Sequence, residues 1–178
     1  MKKAFTLMEV NLAIMVMATG ILAVVSLFSF GFRENRQSRD DVAASVYADA
    51  VISPLVMAIS ATNLKWSVFK SMPSYPSNNG WSDYFDSNGL VSQNPDGQAK
   101  SVFSQVMSKM QSAAKGSLNA PTAFPTAAAG GLKAGLVITH DEGSAVVGIC
   151  FRACKHPSEL LSMPVFYTEV RFQGIADE

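Results

Sequence analysis

Glu9 is the N-terminal residue whose chemistry most needs explaining, because a long uncharged segment follows it. Lys2 and Lys3 precede it, and residues 10–32 contain no Asp, Glu, Lys or Arg. As an α-helix, residues 10–32 would be about 35 Å long, enough to cross a hydrocarbon core of about 30 Å. A carboxylate in a membrane segment is costly and is usually kept for a function that involves a partner. The sequence therefore predicts a membrane-length helix whose acidic residue is paired.

Three interpretations fit a basic start followed by an apolar segment. A secretory signal peptide has a shorter apolar core and closes with a small-x-small cleavage site. A plain membrane anchor explains the length of residues 10–32 but not Glu9. In the third interpretation the basic leader stays in the cytoplasm, as the positive-inside rule requires. A peptidase then cuts between Ala4 and Phe5, and the remaining helix becomes an assembly element, which explains both the length and the carboxylate.

The residues that favour the third interpretation also carry a family resemblance. Lys-Lys-Ala-Phe-Thr-Leu-Met-Glu, followed by an apolar helix, resembles the class III signal of type IV pilins and type II secretion pseudopilins. The resemblance covers residues 1–35. It implies that residues 1–4 are a leader removed by a prepilin peptidase, that Phe5 is the first mature residue and is N-methylated, and that Ala4 stands where the family more often has Gly.

The resemblance also implies a role for Glu9. Cleavage would expose an α-amino group on Phe5, which is positively charged below a pKa of about 8. In the family this carboxylate neutralises the N-terminus of a neighbouring subunit, and leaving either charge buried and unpaired would be strongly unfavourable. The alternative is that Glu9 interacts with the positive end of its own helix dipole. The two roles are compatible.

Partners and location follow from the same resemblance. They are other copies of the chain in a filament, the prepilin peptidase, and a pilus or type II secretion assembly machinery. Before assembly the protein would be a single-pass inner-membrane protein with a periplasmic head, and afterwards part of a periplasmic or cell-surface filament. No cofactor is expected.

Composition and motifs indicate that the chain is not an enzyme and does not bind nucleic acid. Fourteen acidic residues balance fourteen basic ones, so no overall positive field would attract nucleic acid. His140 and Asp141 are adjacent but no nucleophile motif surrounds them, and there is no phosphate-binding loop or zinc-protease motif. Asp83, Asp86 and Asn88 suggest calcium, but their spacing does not match an EF-hand loop, and turn formation is the favoured interpretation.

Cys150 and Cys154 are the only cysteines. On a continuous strand their α-carbons would lie about 13 Å apart, beyond the limit of about 7 Å for a disulfide, so a bridge requires a bend between them. We favour a small-loop disulfide, which an oxidising compartment would preserve. Two free buried thiols, or a metal site completed by His156, are the alternatives; the metal site lacks a fourth ligand.

The periodicity predicts an α+β fold, with a long helical spine packed on a small antiparallel sheet. Residues 5–32 form the transmembrane or filament-core helix, and residues 33–70 continue it with one apolar face, which Pro54 should kink or split. Residues 71–178 form a globular head. It contains a loop-rich stretch over residues 72–97, a short helix over 101–115 and a three-stranded meander within 134–173.

The sequence also leaves a second function class open. A membrane-anchored or pilus-displayed adhesion module would recognise a surface, glycan or partner through exposed side chains of the head. Trp81, Tyr84 and Phe85 would be the binding candidates, since they cluster in the loop-rich stretch. Aromatic residues in such a loop more often form a small core of their own.

Overall fold

The computed structural model describes residues 6–76, 80–85, 89, 91–114, 121, 123–127 and 131–177. The predicted leader and Phe5 therefore lie outside the described residues. The elements in chain order are α1 (Leu7–Ile59), α2 (Trp66–Lys70), α3 (Pro95–Ala113), β1 (Lys133–His140), β2 (Val146–Cys154) and β3 (Phe166–Arg171), with 3-10 turns at Gly80–Tyr84 and Pro157–Glu159. The chain divides inside α1 into two compact units, Met1–Val42 and Ala43–Glu178.

The first unit is the N-terminal part of α1. The helix is long and apolar enough to cross a membrane, with a most apolar window of mean hydropathy 2.3, none of it buried within the protein. Its hydroxyl groups donate to carbonyls of the same helix: Thr19 to Val16 at 2.9 Å and Ser26 to Leu22 at 2.9 Å. Such bonds satisfy hydroxyls without water, so the segment suits a lipid or protein surrounding.

The second unit, residues 43–178, is called the globular unit below. Its sheet has the order β1-β2-β3, with both pairs antiparallel. Val137 pairs with Cys150, which in turn pairs with Tyr167. The predicted α+β class and three-stranded meander are confirmed.

One face of the sheet packs on two helices. Residues 47–59 of α1 and most of α3 bury their apolar sides against it, and Tyr47 meets Phe151 edge to face at 5.3 Å between ring centroids. The fully buried large side chains of this core include Leu55, Ile59, Phe69, Phe103, Met107, Met110, Leu136, Ile138 and Phe151.

The predicted continuation of the helix to residue 70 is wrong. Pro54 was expected to kink or split the helix, and it does not split it. α1 ends at Ile59, and Pro54 lies buried inside the continuous helix. A turn follows, and α2 is a separate short helix. The chain turns because Leu64 is fully buried and its carbonyl accepts the Ile175 N–H at 2.9 Å, while the Trp66 N–H donates to the Ile175 carbonyl at 3.0 Å. This pairing with the C-terminal segment requires extended backbone at Lys65.

The predicted short helix is present but begins six residues earlier, at Pro95 rather than Ser101. The Asn94 side chain caps it by accepting the Gly97 N–H at 3.0 Å, and Pro95 occupies the first helical position. Proline is preorganised there because it lacks the N–H that the first turn leaves unpaired. Asn94 and Pro95 are therefore strong helix-start residues, although they lie in a stretch rich in turn-forming residues.

Groups from elsewhere in the chain form hydrogen bonds along the outer edge of β1. They bond to every second residue of the strand, because the backbone groups of these residues point away from β2. Side chains supply three of the partners and the backbone of Tyr75 the fourth. The hydrogen-bonded pairs along β1 are Ala134 with Asp96, Leu136 with Tyr84, Ile138 with Tyr75 and His140 with Ser74. β1 therefore cannot act as an open edge.

Asp96 links three elements of the globular unit. One carboxylate oxygen accepts the Ala134 N–H at 3.2 Å, and the other lies 2.8 Å from the Lys100 ammonium. The carboxylate also forms a hydrogen bond with the phenol of Tyr47 on α1. Burial, followed by the charge of Asp96, raises the pKa of Tyr47, so the phenol stays protonated and can donate.

We predict that Tyr84→Phe destabilises the globular unit by about 1–3 kcal/mol. The Tyr84 hydroxyl donates to the Leu136 carbonyl at 2.8 Å and accepts the Leu136 N–H at 2.6 Å, and the side chain is fully buried. Phenylalanine keeps the ring but leaves both backbone groups without this partner. Urea unfolding followed by tryptophan fluorescence measures the loss. Tyr167→Phe, at an exposed position, is the matched control; equal effects of the two variants would contradict the role assigned to Tyr84.

Candidate assembly site at the N-terminal helix

Thr6 and Glu9 form a reciprocal hydrogen-bonded pair at the start of α1. The Thr6 N–H donates to Glu9 Oε2 at 2.9 Å, and the Thr6 hydroxyl donates to the same oxygen at 3.1 Å. In return, Thr6 Oγ1 lies 3.4 Å from the Glu9 N–H. Because the helix begins at Leu7, Thr6 is the N-cap and Glu9 the third helical residue, which is the geometry of a capping box.

This pair gives Glu9 a role within its own chain. It satisfies donors that the first helical turn leaves unpaired, and it places the carboxylate at the positive end of the helix dipole. Both hydrogen bonds that Thr6 donates go to Oε2, and an ionised carboxylate can accept further hydrogen bonds. The local role is thus observed, whereas the role between subunits stays a prediction. Ala4 and Phe5 lie outside the described residues, so cleavage between them and N-methylation of Phe5 also stay predictions.

Sequence reasoning overlooked Thr6. The signal was nevertheless present, because a Ser or Thr followed three residues later by Glu, just before an apolar run, is the sequence pattern of a capping box. Thr6-Leu7-Met8-Glu9 fits it. The same stretch that resembles a processing signal therefore also specifies where the helix starts.

The helix that follows presents a continuous apolar surface. Its large side chains are 48–81% exposed, and small residues such as Ala13, Ala18 and Gly20 lie between them. The exposed large residues of this segment are Leu7, Met8, Val10, Leu12, Ile14, Met15, Val16, Met17, Ile21, Leu22, Val24, Val25, Leu27, Phe28, Phe30 and Phe32. Exposed apolar surface of this extent indicates contact with lipid or with another protein surface.

The part of α1 within the globular unit also leaves apolar side chains uncovered. Val46 and Met57 are 59% and 57% exposed, and Ala50, between them on the same helical face, is exposed as well. The opposite face carries buried residues such as Val51 and Leu55. This part of the helix is thus covered by the sheet on one side only.

The favoured disulfide is not found, and this prediction is wrong. Cys150 and Cys154 are free thiols on the single continuous strand β2. The bend that a bridge requires is missing, and four residues of extended strand separate the α-carbons by about 13 Å. Burial raises the pKa of the Cys150 thiol, and burial followed by the charge of Glu159 raises that of Cys154 to about 11. The alternative of two free thiols describes the structure.

The aromatic residues of the loop-rich stretch form a second small core on the other face of the sheet. Tyr84 is fully buried with Leu160 and Cys154. Trp81 is half-buried, and the Arg152 guanidinium lies 4.6 Å from its ring centroid. The interpretation that aromatic residues of this stretch form a small core of their own is confirmed for Trp81 and Tyr84. Phe85 is 36% exposed and is the most available of the three for a partner.

Both ring nitrogens of His140 lie within hydrogen-bonding distance of backbone carbonyls. Its Nδ1 lies 2.6 Å from the Met72 carbonyl and its Nε2 lies 3.2 Å from the Ser144 carbonyl, while the ring meets Phe69 edge to face. Both nitrogens are therefore occupied by backbone. Within the described residues, no group of three or more His, Cys, Asp or Glu side chains is placed to hold a metal ion. Asp86 and Asn88 of the calcium hypothesis fall outside that part of the chain.

Comparisons with known proteins identify no similar protein. No protein-family model matches the chain, and no match is found among curated proteins or solved structures.

We predict that both cysteines are free but slow to react in the folded protein. A pKa raised from 9.0 to about 11 lowers the thiolate fraction of Cys154 near neutral pH about a hundredfold. Iodoacetamide should therefore modify the native protein slowly and add two labels, without reductant, once urea unfolds it. Intact-mass measurement counts the labels. Two labels that appear only after reduction would instead establish a disulfide.

Proposed function

We propose that the protein is a pilin-like structural subunit that polymerises through its N-terminal helix. The observation that carries the proposal is the uncovered apolar segment over residues 10–32, directly preceded by the Lys2-to-Glu9 sequence that resembles a prepilin signal. An anchor alone would require the apolar length. It would not require the carboxylate at the start of the helix.

The helix would have two successive environments. In the inner membrane, lipid covers its apolar side chains while the periplasm holds the globular unit. In the filament, other copies of the same helix replace the lipid. Because lipid tails are as apolar as leucine, close packing around small residues must supply much of the association energy. Gly20 and its neighbouring alanines provide positions for such approach. The exposed face around Val46 and Met57 is a separate apolar surface, on the globular unit.

Glu9 would connect cleavage to assembly. A prepilin peptidase cuts between Ala4 and Phe5 and frees an α-amino group, which is then N-methylated and remains cationic. Glu9 keeps its bonds to Thr6 and accepts this ammonium from a neighbouring copy through its remaining acceptor capacity. Copies docked in another alignment would leave both charges unmatched in an apolar surrounding, so the pair selects the alignment as well as stabilising it.

Assembly would be carried out by a pilus or type II secretion machinery, which extracts the processed chain from the membrane. The resulting filament would be periplasmic or on the cell surface. The adhesion-module alternative has less support, because Tyr84 and Trp81 are used in packing the globular unit.

We predict that Glu9→Gln abolishes filaments while leaving the membrane-anchored chain abundant. Glutamine retains the shape and capping geometry at the third helical position but removes the charge that pairs with the neighbouring N-terminus. Electron microscopy and immunoblotting of sheared surface fractions, against immunoblots of membrane fractions, measure the two pools.

Thr6→Val is the matched control. It removes the capping hydroxyl at nearly constant volume and keeps the Glu9 charge, so filaments should persist at reduced yield. Normal filaments in the Glu9→Gln strain would contradict the charge-pairing mechanism. Equal loss in both strains would assign the requirement to the start of the helix instead of to the charge.

A further inference from the structure

The two edges of the sheet differ in their hydrogen bonding, and the helix-driven assembly proposed above involves neither edge. The outer edge of β1 is filled by Asp96, Tyr84, Tyr75 and Ser74, as described above. β3 lies at the opposite edge, and within the described part of the chain no strand or bridge pairs with its outer side. An edge of this kind is a ready template for a further strand.

The pairing pattern identifies which groups β3 offers. Thr168 is paired with Ile149, and the Phe172 N–H donates to the Ala145 carbonyl at 2.9 Å, so the even-numbered residues face β2. Alternation along an antiparallel strand then points the backbone groups of the odd-numbered residues outward. These residues are Tyr167, Glu169 and Arg171.

The side chains of these three residues share one exposed face. Val170 is buried in the core, so its neighbours Glu169 and Arg171 project from the other side of the sheet, where both are exposed. Tyr167 is 57% exposed, and its hydroxyl donates to Glu169 Oε1 at 2.8 Å. The carboxylate is thereby held in place beside the open edge, with an arginine two residues away.

This charge pattern is self-complementary. Two copies of β3 can pair antiparallel through their outward residues with different offsets. If Glu169 lies opposite Glu169, like charges meet. If Glu169 lies opposite Tyr167, neither charge is matched. If Glu169 lies opposite Arg171, the same pair forms twice, once on each side of the two-fold axis, and directly opposed unlike charges stabilise a strand pair.

We propose that the open edge of β3 binds the β3 edge of a second copy of this chain, with Glu169 of each copy opposite Arg171 of the other. The β1 edge cannot be the partner because each of its outward-facing residues already has a hydrogen-bond partner from the same chain. A two-fold contact closes at two copies and cannot propagate a filament. It would therefore join two anchored subunits, or two filaments side by side. This contact does not depend on the proposed helix-driven polymerisation.

Charge reversal tests the contact in the full-length chain solubilised in detergent, with the dimer dissociation constant measured by sedimentation equilibrium. Glu169→Arg and Arg171→Glu each place like charges opposite one another in both pairs. Each should weaken the dimer by about tenfold or more. An equimolar mixture of the two variants should restore wild-type affinity, because the mixed dimer again has two unlike pairs. The double variant E169R/R171E should restore it within one chain.

Two further measurements separate this contact from other effects. Glu142→Arg makes the same charge change at the exposed β1–β2 turn and should leave the dimer unchanged. Glu9→Gln should also leave it unchanged. The proposal is overturned if the wild-type chain stays monomeric, if the single reversals associate like the wild type, or if neither the mixture nor the double variant recovers affinity. Loss of the dimer in Glu9→Gln alone would assign association to the helix and overturn the proposal as well.

Discussion

Residues 7–32 form a helix whose apolar side chains the chain itself does not bury. The free energy of leaving that surface in water is the constraint that governs the molecule, because apolar surface of this extent requires cover from lipid or from another protein surface. It accounts for the near absence of charge in this segment and for hydroxyl groups that bond to their own helix backbone. It also accounts for Glu9, a charge that is tolerable there only with partners. Thr6 is the partner observed, and the proposed N-terminus of a neighbouring copy would be the second.

The globular unit is organised differently. Its core is held by the contact of α1 and α3 with one face of a three-stranded sheet, and a smaller core covers part of the other face. Contacts such as Asp96 to Ala134 and Tyr84 to Leu136 close one edge of the sheet with groups distant in sequence. The strand edge that stays open carries charges of both signs. Within the described residues, two kinds of surface therefore stay uncovered: the apolar side chains of residues 7–32 and the polar outer edge of β3.

Much of this could be predicted from residue patterns. The alternation of apolar and polar side chains over residues 164–172 and the turn signal Asp141-Glu142-Gly143 predicted the meander, because local periodicity and local turn chemistry determine it. The start of α3 was missed because Asn94-Pro95 lies among turn-forming residues, and the end of α1 was missed because pairing of Leu64 with Ile175 is a contact across the whole globular unit. The partners of the β1 edge lie 38 to 66 residues from it, so no local pattern could indicate them. The thiols were misassigned because the strand continues through both cysteines.

The most direct test of the central claim is the mass of the mature chain in sheared surface filaments purified from its native cell. The account predicts a chain that begins at Phe5, carries one added methyl group and is present in that fraction. A chain in the membrane fraction alone that still begins at Met1 or Lys2 would contradict it and make the protein a static anchored protein. Cleavage beyond Phe32 would contradict it too, since the helix that should build the filament would have been removed.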